Sequence, residues 1–313
     1  EWQATLATLV AVPSTARARR RIARARAAGW ASLRPLRASW RTVRSHRRAV
    51  GDPERMHRSV DERVGFVEGA GLWVAVAALV VGVVLSPQLL GAAAATGGAL
   101  LPLSDSLGDL WANALAGPRD ALGEVQGPAD PFVILLALLG SLTFWQPSTA
   151  IVLLLFLAPA IAAVTAFFAV RRMTDSRWAP ALSAAVWSLS PTLLAAIVDG
   201  RVGAVLAHIA LPLAAAGMLL AHRSWRAAGS AAIPLAIVVA AAPVLLPAML
   251  LLALIGIGVG WRSPLRPLAA VLPALALIGP VVVARWQAGT PLAALADPGV
   301  PRASAPPTAI EAA

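Results

Sequence analysis

Residues 187–212 read WSLSPTLLAAIVDGRVGAVLAHIALP, two apolar arms on either side of the polar triplet Asp199-Gly200-Arg201. Each arm is close to the roughly 20 apolar residues that a membrane-crossing helix needs, and Pro191 predicts a kink in the first arm. The triplet is therefore either a turn at one membrane face or an ion pair buried just inside it. Charged groups between apolar spans are costly, so an acid and a base at this position call for a structural or functional explanation.

The composition of the 313 residues is that of a membrane protein. Hydrophobic residues make up 58% of the chain and charged residues 13%, far from the balance of a soluble domain. The chain has no cysteine, which excludes disulfides and thiolate metal sites. All 26 basic residues are arginine, a bias that fits a GC-rich coding sequence rather than nucleic-acid binding.

The positive charge is concentrated at the beginning of the chain. Fifteen of the 26 arginines precede residue 70, which predicts a basic arm over 1–69. Arginine alternates there with Ala, Leu and Trp, as in helices that lie on anionic membrane surfaces. Only Trp30 and Trp40 could stack on bases, so nucleic acid is not an expected partner. The chain does not begin with Met and stops in a polar run, so we expect a piece of a longer protein.

The apolar segments predict an all-α, polytopic membrane domain over 70–286, followed by a polar extracytoplasmic tail over 287–313 that is cut short. A connector over 91–130 and a short apolar helix over 131–144, too short to span, form an outer loop over 91–147. The predicted fold class is a helical membrane protein with about seven transmembrane helices, a basic cytoplasmic arm and a short outer-face helix. The seven crossings are predicted at 71–90, 148–170, 178–198, 202–221, 227–242, 244–260 and 267–284.

The distribution of charge orients these crossings. With the basic arm in the cytoplasm, every remaining loop rich in arginine falls on the cytoplasmic side, as the positive-inside rule requires. The connector 91–130 falls outside and carries one arginine, Arg119, against five acids. Merging 227–260 into one span would put Arg262 and Arg266 outside, which favours seven crossings. The predicted location is the plasma membrane.

Four acids of the outer connector are candidate catalytic residues. A carboxylate at a water–lipid boundary can act as a general base toward an acceptor hydroxyl, or it can hold a divalent cation. The alternative is that acids are ordinary in outer loops, and Asp130-Pro131 also has the pattern of a helix N-cap followed by proline. The candidates are Asp105, Asp109, Asp120 and Asp130.

The opening stretch supplies candidate binding residues at the same face. Arg201 could neutralise a phosphate of a lipid-linked donor while Asp199 orients it, or the two could form an ordinary interfacial turn. His208 lies about two helical turns into the following span, and a lone intramembrane histidine is more often a packed hydrogen-bonding residue than a ligand. Arg119 is a further candidate for phosphate binding.

No motif of a soluble enzyme is present. The chain has no lysine for a phosphate-binding glycine loop, no His-Glu-x-x-His and no Gly-x-Ser-x-Gly. Ser188-Leu-Ser190-Pro191 is a helix break rather than a nucleophile elbow. Acids within the spans are too sparse for a proton-relay pump, which disfavours a transporter.

Several short patterns together resemble a known family. They are Asp109-Leu-Trp111, Arg119-Asp120, Ala129-Asp130-Pro131-Phe132, Trp187-Ser-Leu-Ser190-Pro191 and Asp199-Gly-Arg201 through His208-x-x-Leu-Pro212. The chain resembles, over roughly 15–285, the membrane region of large actinobacterial glycosyltransferases in which a family 2 nucleotide-sugar domain precedes a multi-pass part. That part is similar to membrane transferases that use polyprenyl-phosphate sugars, such as arabinofuranosyltransferases, in which an acid of the first outer loop commonly serves as the base.

The resemblance implies the membrane part of a cell-envelope glycosyltransferase that handles a polyprenyl-linked sugar or glycan at the extracytoplasmic face. Its expected partners are membrane lipids, that lipid-linked sugar and an upstream nucleotide-sugar domain. The cofactor stays open, with a divalent cation as the expectation the acids allow. Two other hypotheses remain: a non-catalytic anchor of the upstream domain, and a flippase or transporter of lipid-linked sugars.

Overall fold

The computed structural model describes 65–68, 70–96, 100, 102–116, 128–259, 263–298 and 308–310. These residues belong to one compact unit, Arg63–Ala313. The predicted basic arm lies almost wholly outside the described residues. So do Arg119, Asp120 and part of the predicted polar tail, 299–307 and 311–313.

The described part of the chain is mostly helical. Its only β-structure with paired strands is a short antiparallel pair, in which Ala94–Thr96 lies beside Thr308–Ile310. The helices in chain order are α1 (Gly71–Leu85), α2 (Leu107–Leu115), α3 (Pro131–Gly140), α4 (Pro147–Arg171), α5 (Ala179–Ser188), α6 (Pro191–Val198), α7 (Val202–Leu220), α8 (Trp225–Ala241), α9 (Leu246–Val259) and α10 (Leu265–Gln287).

Among the described residues, four helical segments are long and apolar enough to cross a membrane. They are Pro147–Arg171, Ala179–Val198, Val202–Arg223 and Leu265–Gln287. The predicted all-helical membrane character is confirmed at this level. The other three predicted crossings coincide with α1, α8 and α9, which have 15, 17 and 14 residues. These helices are shorter than the usual length of a span.

Helices begin and end where proline and small polar residues predict. α5 ends at Ser188 and α6 begins at Pro191, with the Ser190 hydroxyl accepting the Leu193 N–H at 3.4 Å. α8 ends at Ala241, and a short 3₁₀ turn over Pro243–Leu245 leads into α9. The predicted break in the span over 178–198 and the break at Pro243 between the crossings 227–242 and 244–260 are therefore both present.

The Asp199-Gly200-Arg201 triplet forms a turn between α6 and α7. Gly200 has a φ of +67°, a left-handed conformation that favours glycine. Its N–H donates to the Ile197 carbonyl at 3.1 Å, and the Arg201 N–H donates to the Ala196 carbonyl at 2.8 Å. This is the Schellman pattern that closes a helix C-terminus. Of the two alternatives the sequence left open, the structure has the turn.

Small residues let the central helices approach closely. The core around α4, α7 and α8 is rich in fully buried alanine, including Ala158, Ala214 and Ala231. At Gly203, in the first turn of α7, an added Cβ would lie 2.5 Å from the Ala241 carbonyl oxygen at the end of α8. The start of α7 is therefore held directly against the end of α8.

The helix termini lie at two opposite ends of the bundle, as the contacts between them show. At the first, which we call the Asp130 end, α7 begins and α8 and α10 finish. Helix α3 lies across this end, because Phe132 is close to Gly203 at the start of α7 and Gly140 is close to Pro147 at the start of α4. At the opposite end, which we call the Arg266 end, Arg266 Nη1 at the start of α10 donates to the His222 carbonyl just after α7, at 2.8 Å.

We expect Gly203→Ala to destabilise the protein by about 1–3 kcal/mol, because the new methyl group would force α7 away from a backbone carbonyl of α8. Gly279→Ala in α10 is the matched control, since no heavy atom lies within 4 Å of its added Cβ. Removing a helical glycine there should be neutral or stabilising by up to about 1 kcal/mol. Unfolding of the purified chain in detergent measures both; equal effects would contradict the close contact.

Candidate functional site

A cavity of about 800 Å³ lies at the Asp130 end of the bundle, within the size range of small-molecule sites. Its walls come from the start of α3, the end of α8, the last turns of α10 and the chain that follows α10. Its polar and charged lining side chains are Asn113, Asp130, Arg285 and Asp297. The remaining lining residues are Ala, Val, Ile and Pro, and none of the described lining residues is aromatic. We call it the Asp130 cavity.

Asp130 is positioned by its role as the N-cap of α3. Its Oδ1 accepts the Phe132 N–H at 2.9 Å, and Pro131 occupies the first helical position, as the sequence pattern predicts. The side chain is half-buried. Burial raises the pKa of the Asp130 carboxyl, while the Phe132 N–H and the positive charge of Arg285 oppose that increase. A carboxylate with a raised pKa is a stronger base than an exposed one.

Arg285 lies in the last turn of α10, one wall of the cavity. Its charge influences the Asp130 carboxyl, although no ion pair within 4.0 Å joins the two groups. The two residues are 155 positions apart in the chain, so they meet only because α3 lies across the end at which α10 finishes. The cavity therefore holds a partly desolvated acid and a guanidinium that share its interior.

Arg201 does not line the cavity, but it pairs with Asp297, an acid that does. Its Nη2 lies 2.5 Å from Oδ2 of Asp297, with the two side chains 45% and 43% exposed. Asp297 follows a short 3₁₀ helix over Pro291–Leu295, and Ala293, Ala294 and Ala296 of this segment line the cavity. The ion pair thus fastens the chain beyond α10 to the turn before α7.

The α10 wall of the cavity is charged at Arg285, in the last turn of the helix, and apolar before it. Ile278, Val281, Arg285 and Ala288 line it from one face of α10, at the spacing of successive helical turns. Ile278 lies about 10 Å along the helix axis from Arg285, at 1.5 Å for each residue. Val239, near the end of α8, adds to the apolar part. The lining therefore combines two acids and one arginine with an aliphatic wall along α10.

Asp105 and Asp109 stand at the beginning of α2. Both are exposed, and neither lines the Asp130 cavity. They do not share a helix face, because α2 begins only at Leu107, with Ser106 as its N-cap. The Ser106 hydroxyl accepts the Asp109 N–H at 3.1 Å and donates to Asp109 Oδ2 at 2.6 Å. Asp109 is therefore part of a helix cap.

His208 packs against Trp187 in a reciprocal hydrogen-bonded pair. The two rings stack with centroids 4.3 Å apart. His208 Nε2 lies 3.1 Å from the Trp187 carbonyl oxygen and 3.2 Å from the Ser190 hydroxyl, and Trp187 Nε1 donates to the His208 carbonyl at 3.1 Å. A carbonyl only accepts, so the first contact requires the histidine proton on Nε2.

Two prolines, Pro191 and Pro212, remove the usual amide partners of the Trp187 and His208 carbonyls. In a continuous helix the Trp187 carbonyl would accept from residue 191 and the His208 carbonyl from residue 212. Both positions are proline, which has no N–H. In apolar surroundings each such carbonyl needs another donor. The His208 carbonyl accepts from the Trp187 ring, and the Trp187 carbonyl accepts from the His208 ring and from the Ser190 N–H at 3.3 Å. His208 does not line the Asp130 cavity; its contacts hold α5 to α7.

The remaining candidates are placed as follows. Asp199 is half-buried in the turn after α6, outside the lining of the Asp130 cavity. Arg119 and Asp120 lie outside the described residues. The sequence interpretation missed Arg285, Asp297 and Asn113. Of these, only Arg285 carried a signal, as a charge at the end of an apolar span beside Trp286.

The described residues contain no group of three or more His, Asp or Glu side chains that could hold a metal ion. Asp130 and Asp297 both line the cavity, but Asp297 is already paired with Arg201. A divalent cation therefore stays a prediction from the outer-loop acids, some of which lie outside the described residues.

We expect Trp187→Phe to destabilise the protein by about 1–3 kcal/mol, because it keeps an aromatic ring but removes the donor to the His208 carbonyl. Pro212→Ala restores a backbone N–H at the position that normally serves this carbonyl. It should therefore recover stability in the Trp187→Phe background and not in a His208→Ala background. Unfolding free energies of the single and double variants test this; equal recovery in both backgrounds would contradict the assignment.

In comparisons with protein-family models, with curated protein sequences and with solved structures, nothing matches this chain. Its function is therefore inferred from the residues and from the geometry of the site.

Proposed function

We propose that this chain is the membrane part of a cell-envelope glycosyltransferase that handles a polyprenyl-phosphate sugar or glycan at the extracytoplasmic face. The observation that carries the proposal is the meeting of Asp130 and Arg285 in one cavity at the end of the bundle. A base of raised pKa beside a guanidinium is the pair of groups that transfer from a lipid phosphate requires.

The proposed topology has seven crossings and a cytoplasmic basic arm, in the plasma membrane. The three shorter helices α1, α8 and α9 would complete the crossings, with tilt or local thinning of the bilayer making up their length. The Asp130 end then faces outward. The positive-inside rule supports this orientation, because the opposite end carries Arg171, Arg172, Arg177, Arg223, Arg226 and Arg266.

The form of the cavity supports a lipid-linked substrate. Arg285 stands at the outer end of its α10 wall, and Ile278 and Val281 continue that wall toward the middle of the helix. A polyprenyl phosphate would place its phosphate near Arg285 and its first isoprene units against the aliphatic wall. The sugar would then extend toward Asp130 and Asn113, which are polar and line the same cavity.

The proposed reaction is glycosyl transfer to a hydroxyl acceptor. The acceptor oxygen forms a bond to the anomeric carbon, and the bond from that carbon to the phosphate oxygen breaks. Asp130 takes the hydroxyl proton, and the electron pair of the broken bond leaves with the phosphate. Arg285, with Arg201 when a ligand displaces Asp297, would stabilise the charge that develops on the phosphate.

We expect Asp130→Asn, in the full-length protein, to lower the transfer rate about 10²- to 10⁴-fold, because the general base is lost. Asparagine is as good an N-cap as aspartate, so the fold should be kept. The rate of the unmodified protein should fall as the pH falls through the raised pKa of Asp130, since protonation removes the base. Transfer from a polyprenyl-phosphate sugar bearing a radiolabelled glycosyl group measures both.

Asp105→Asn is the matched control, because Asp105 is an exposed acid of the same loop and does not line the cavity. It should leave the transfer rate unchanged within about twofold. Full activity in Asp130→Asn would contradict the proposal. It would instead favour the hypothesis that these helices only anchor an upstream catalytic domain.

We also expect the Arg201–Asp297 pair to compete with an anionic ligand. Asp297→Asn should raise the affinity for polyprenyl phosphate by up to about fivefold, the usual limit for a partly exposed ion pair, and Arg201→Gln should lower it. Binding of polyprenyl phosphate to the purified chain measures both changes. Equal losses of affinity in the two variants would show instead that the pair serves only to hold the cavity wall.

A further inference from the structure

A second cluster of arginines lies at the Arg266 end, away from the Asp130 cavity. It comprises Arg223 after α7, Arg226 in the first turn of α8 and Arg266 in the first turn of α10. Arg266 Nη1 donates to the carbonyl of His222, the neighbour of Arg223, and Arg226 follows Arg223 by three residues. The three residues therefore belong to one corner, where the end of α7 and the starts of α8 and α10 meet.

Among the described residues, no acid forms an ion pair with these three arginines. The chain has no Asp or Glu at all between Asp199 and Asp297, a stretch that holds every element of the corner. Within the described part of the chain, the one ion pair is that of Arg201 with Asp297, at the other end of the bundle. The arginines after α4 differ in this respect, because Asp175 stands between Arg172 and Arg177.

The corner is partly preorganised. Arg266 is half-buried and fixed by its hydrogen bond to the His222 carbonyl, and its other N–H donors have no described partner. His222 Nδ1 is buried and has no hydrogen-bond partner among the described residues. A buried polar atom of this kind normally has a hydrogen-bond partner. A fixed guanidinium with free donors is suited to bind a phosphate group.

Exposed apolar side chains flank these charges. Trp225, between Arg223 and Arg226, is 59% exposed, and Leu265, next to Arg266, is 67% exposed. Tryptophan beside arginine at a helix end is typical of the membrane–water interface. The neighbourhood therefore offers positive charge at the headgroup level and an apolar surface directly beside it.

We propose that this corner is a binding site for the headgroup of an anionic phospholipid. The phosphate lies among Arg223, Arg226 and Arg266, and the acyl chains lie along the exposed apolar surface next to Trp225 and Leu265. A lipid fits both parts of the surface, whereas a soluble phosphate would use only the arginines. The proposal requires only that the helices lie in a membrane, and it does not depend on the transferase function.

The test measures lipid binding to the full chain purified in detergent, by native mass spectrometry with phosphatidylglycerol or phosphatidylcholine of the same acyl chains. We expect phosphatidylglycerol to bind at least tenfold more tightly. Replacing Arg223 and Arg226 by Gln should weaken its binding roughly tenfold. Both side chains are exposed and make no described hydrogen bond, so the fold should be kept, which a melting curve checks.

The matched control is Arg172→Gln with Arg177→Gln, which removes the same charge from exposed positions of the other cluster at this end. It should change phosphatidylglycerol binding by no more than about twofold. Equal weakening in the two double variants would overturn the proposal in favour of diffuse charge attraction. Equal binding of the two lipids would overturn it too, as would displacement of phosphatidylglycerol by millimolar inorganic phosphate, which would indicate a soluble-anion site.

Discussion

Trp187 and His208 each carry a backbone carbonyl that a proline deprives of its usual amide partner, and the ring of each residue donates to the carbonyl of the other. In water such a carbonyl would be solvated at little cost. Within an apolar bundle it must be satisfied internally, or the bend would cost several kcal/mol. The stacked pair therefore permits the break at Pro191 and at the same time fixes α5 against α7.

The arrangement of residues at the Asp130 end depends on the break at Pro191. Helix α6 begins after the break and closes at Gly200 with both hydrogen bonds of a Schellman motif. The turn carries Arg201, which pairs with Asp297 of the cavity wall. It also begins α7, in which Gly203 lies against the Ala241 carbonyl. That contact brings the end of α8, a wall of the Asp130 cavity, to the level of Arg201. Moving the bend by one residue would rotate each of these groups by about 100° around its helix.

The local signals of the sequence predicted the fold well. Apolar segments, Pro191, Pro243 and the Gly200 turn mark helix limits because they act through neighbouring residues only. The pairing of Trp187 with His208 was also readable, since each residue stands four positions before a proline. Ser106-x-x-Asp109 also has the spacing of a helix cap, a signal for a helix that begins after Asp105.

The candidate site was predictable only in part, because its charged residues meet across the whole domain. Asp130 stood out locally as an acid before a proline. Its relation to Arg285, and that of Arg201 to Asp297, depends on helices that finish at the same end of the bundle. Hydrophobic periodicity gives helix lengths and directions, yet it does not give neighbours. Charges that pair across 96 residues therefore need a structure to be found.

The two ends of the bundle differ in how their arginines are balanced, and this difference bears on what each can bind. At the Asp130 end, Arg201 pairs with Asp297 and the charge of Arg285 acts on Asp130. An incoming anion must therefore compete with these two acids. Such competition weakens binding and allows a ligand to leave, as turnover requires. At the corner of Arg223, Arg226 and Arg266, no described acid forms an ion pair with these arginines, so an anion bound there would meet no such competition. Under the two proposals, arginine would serve exchange of a ligand at one end and attachment of a lipid at the other, and the position of a few acids would decide between them.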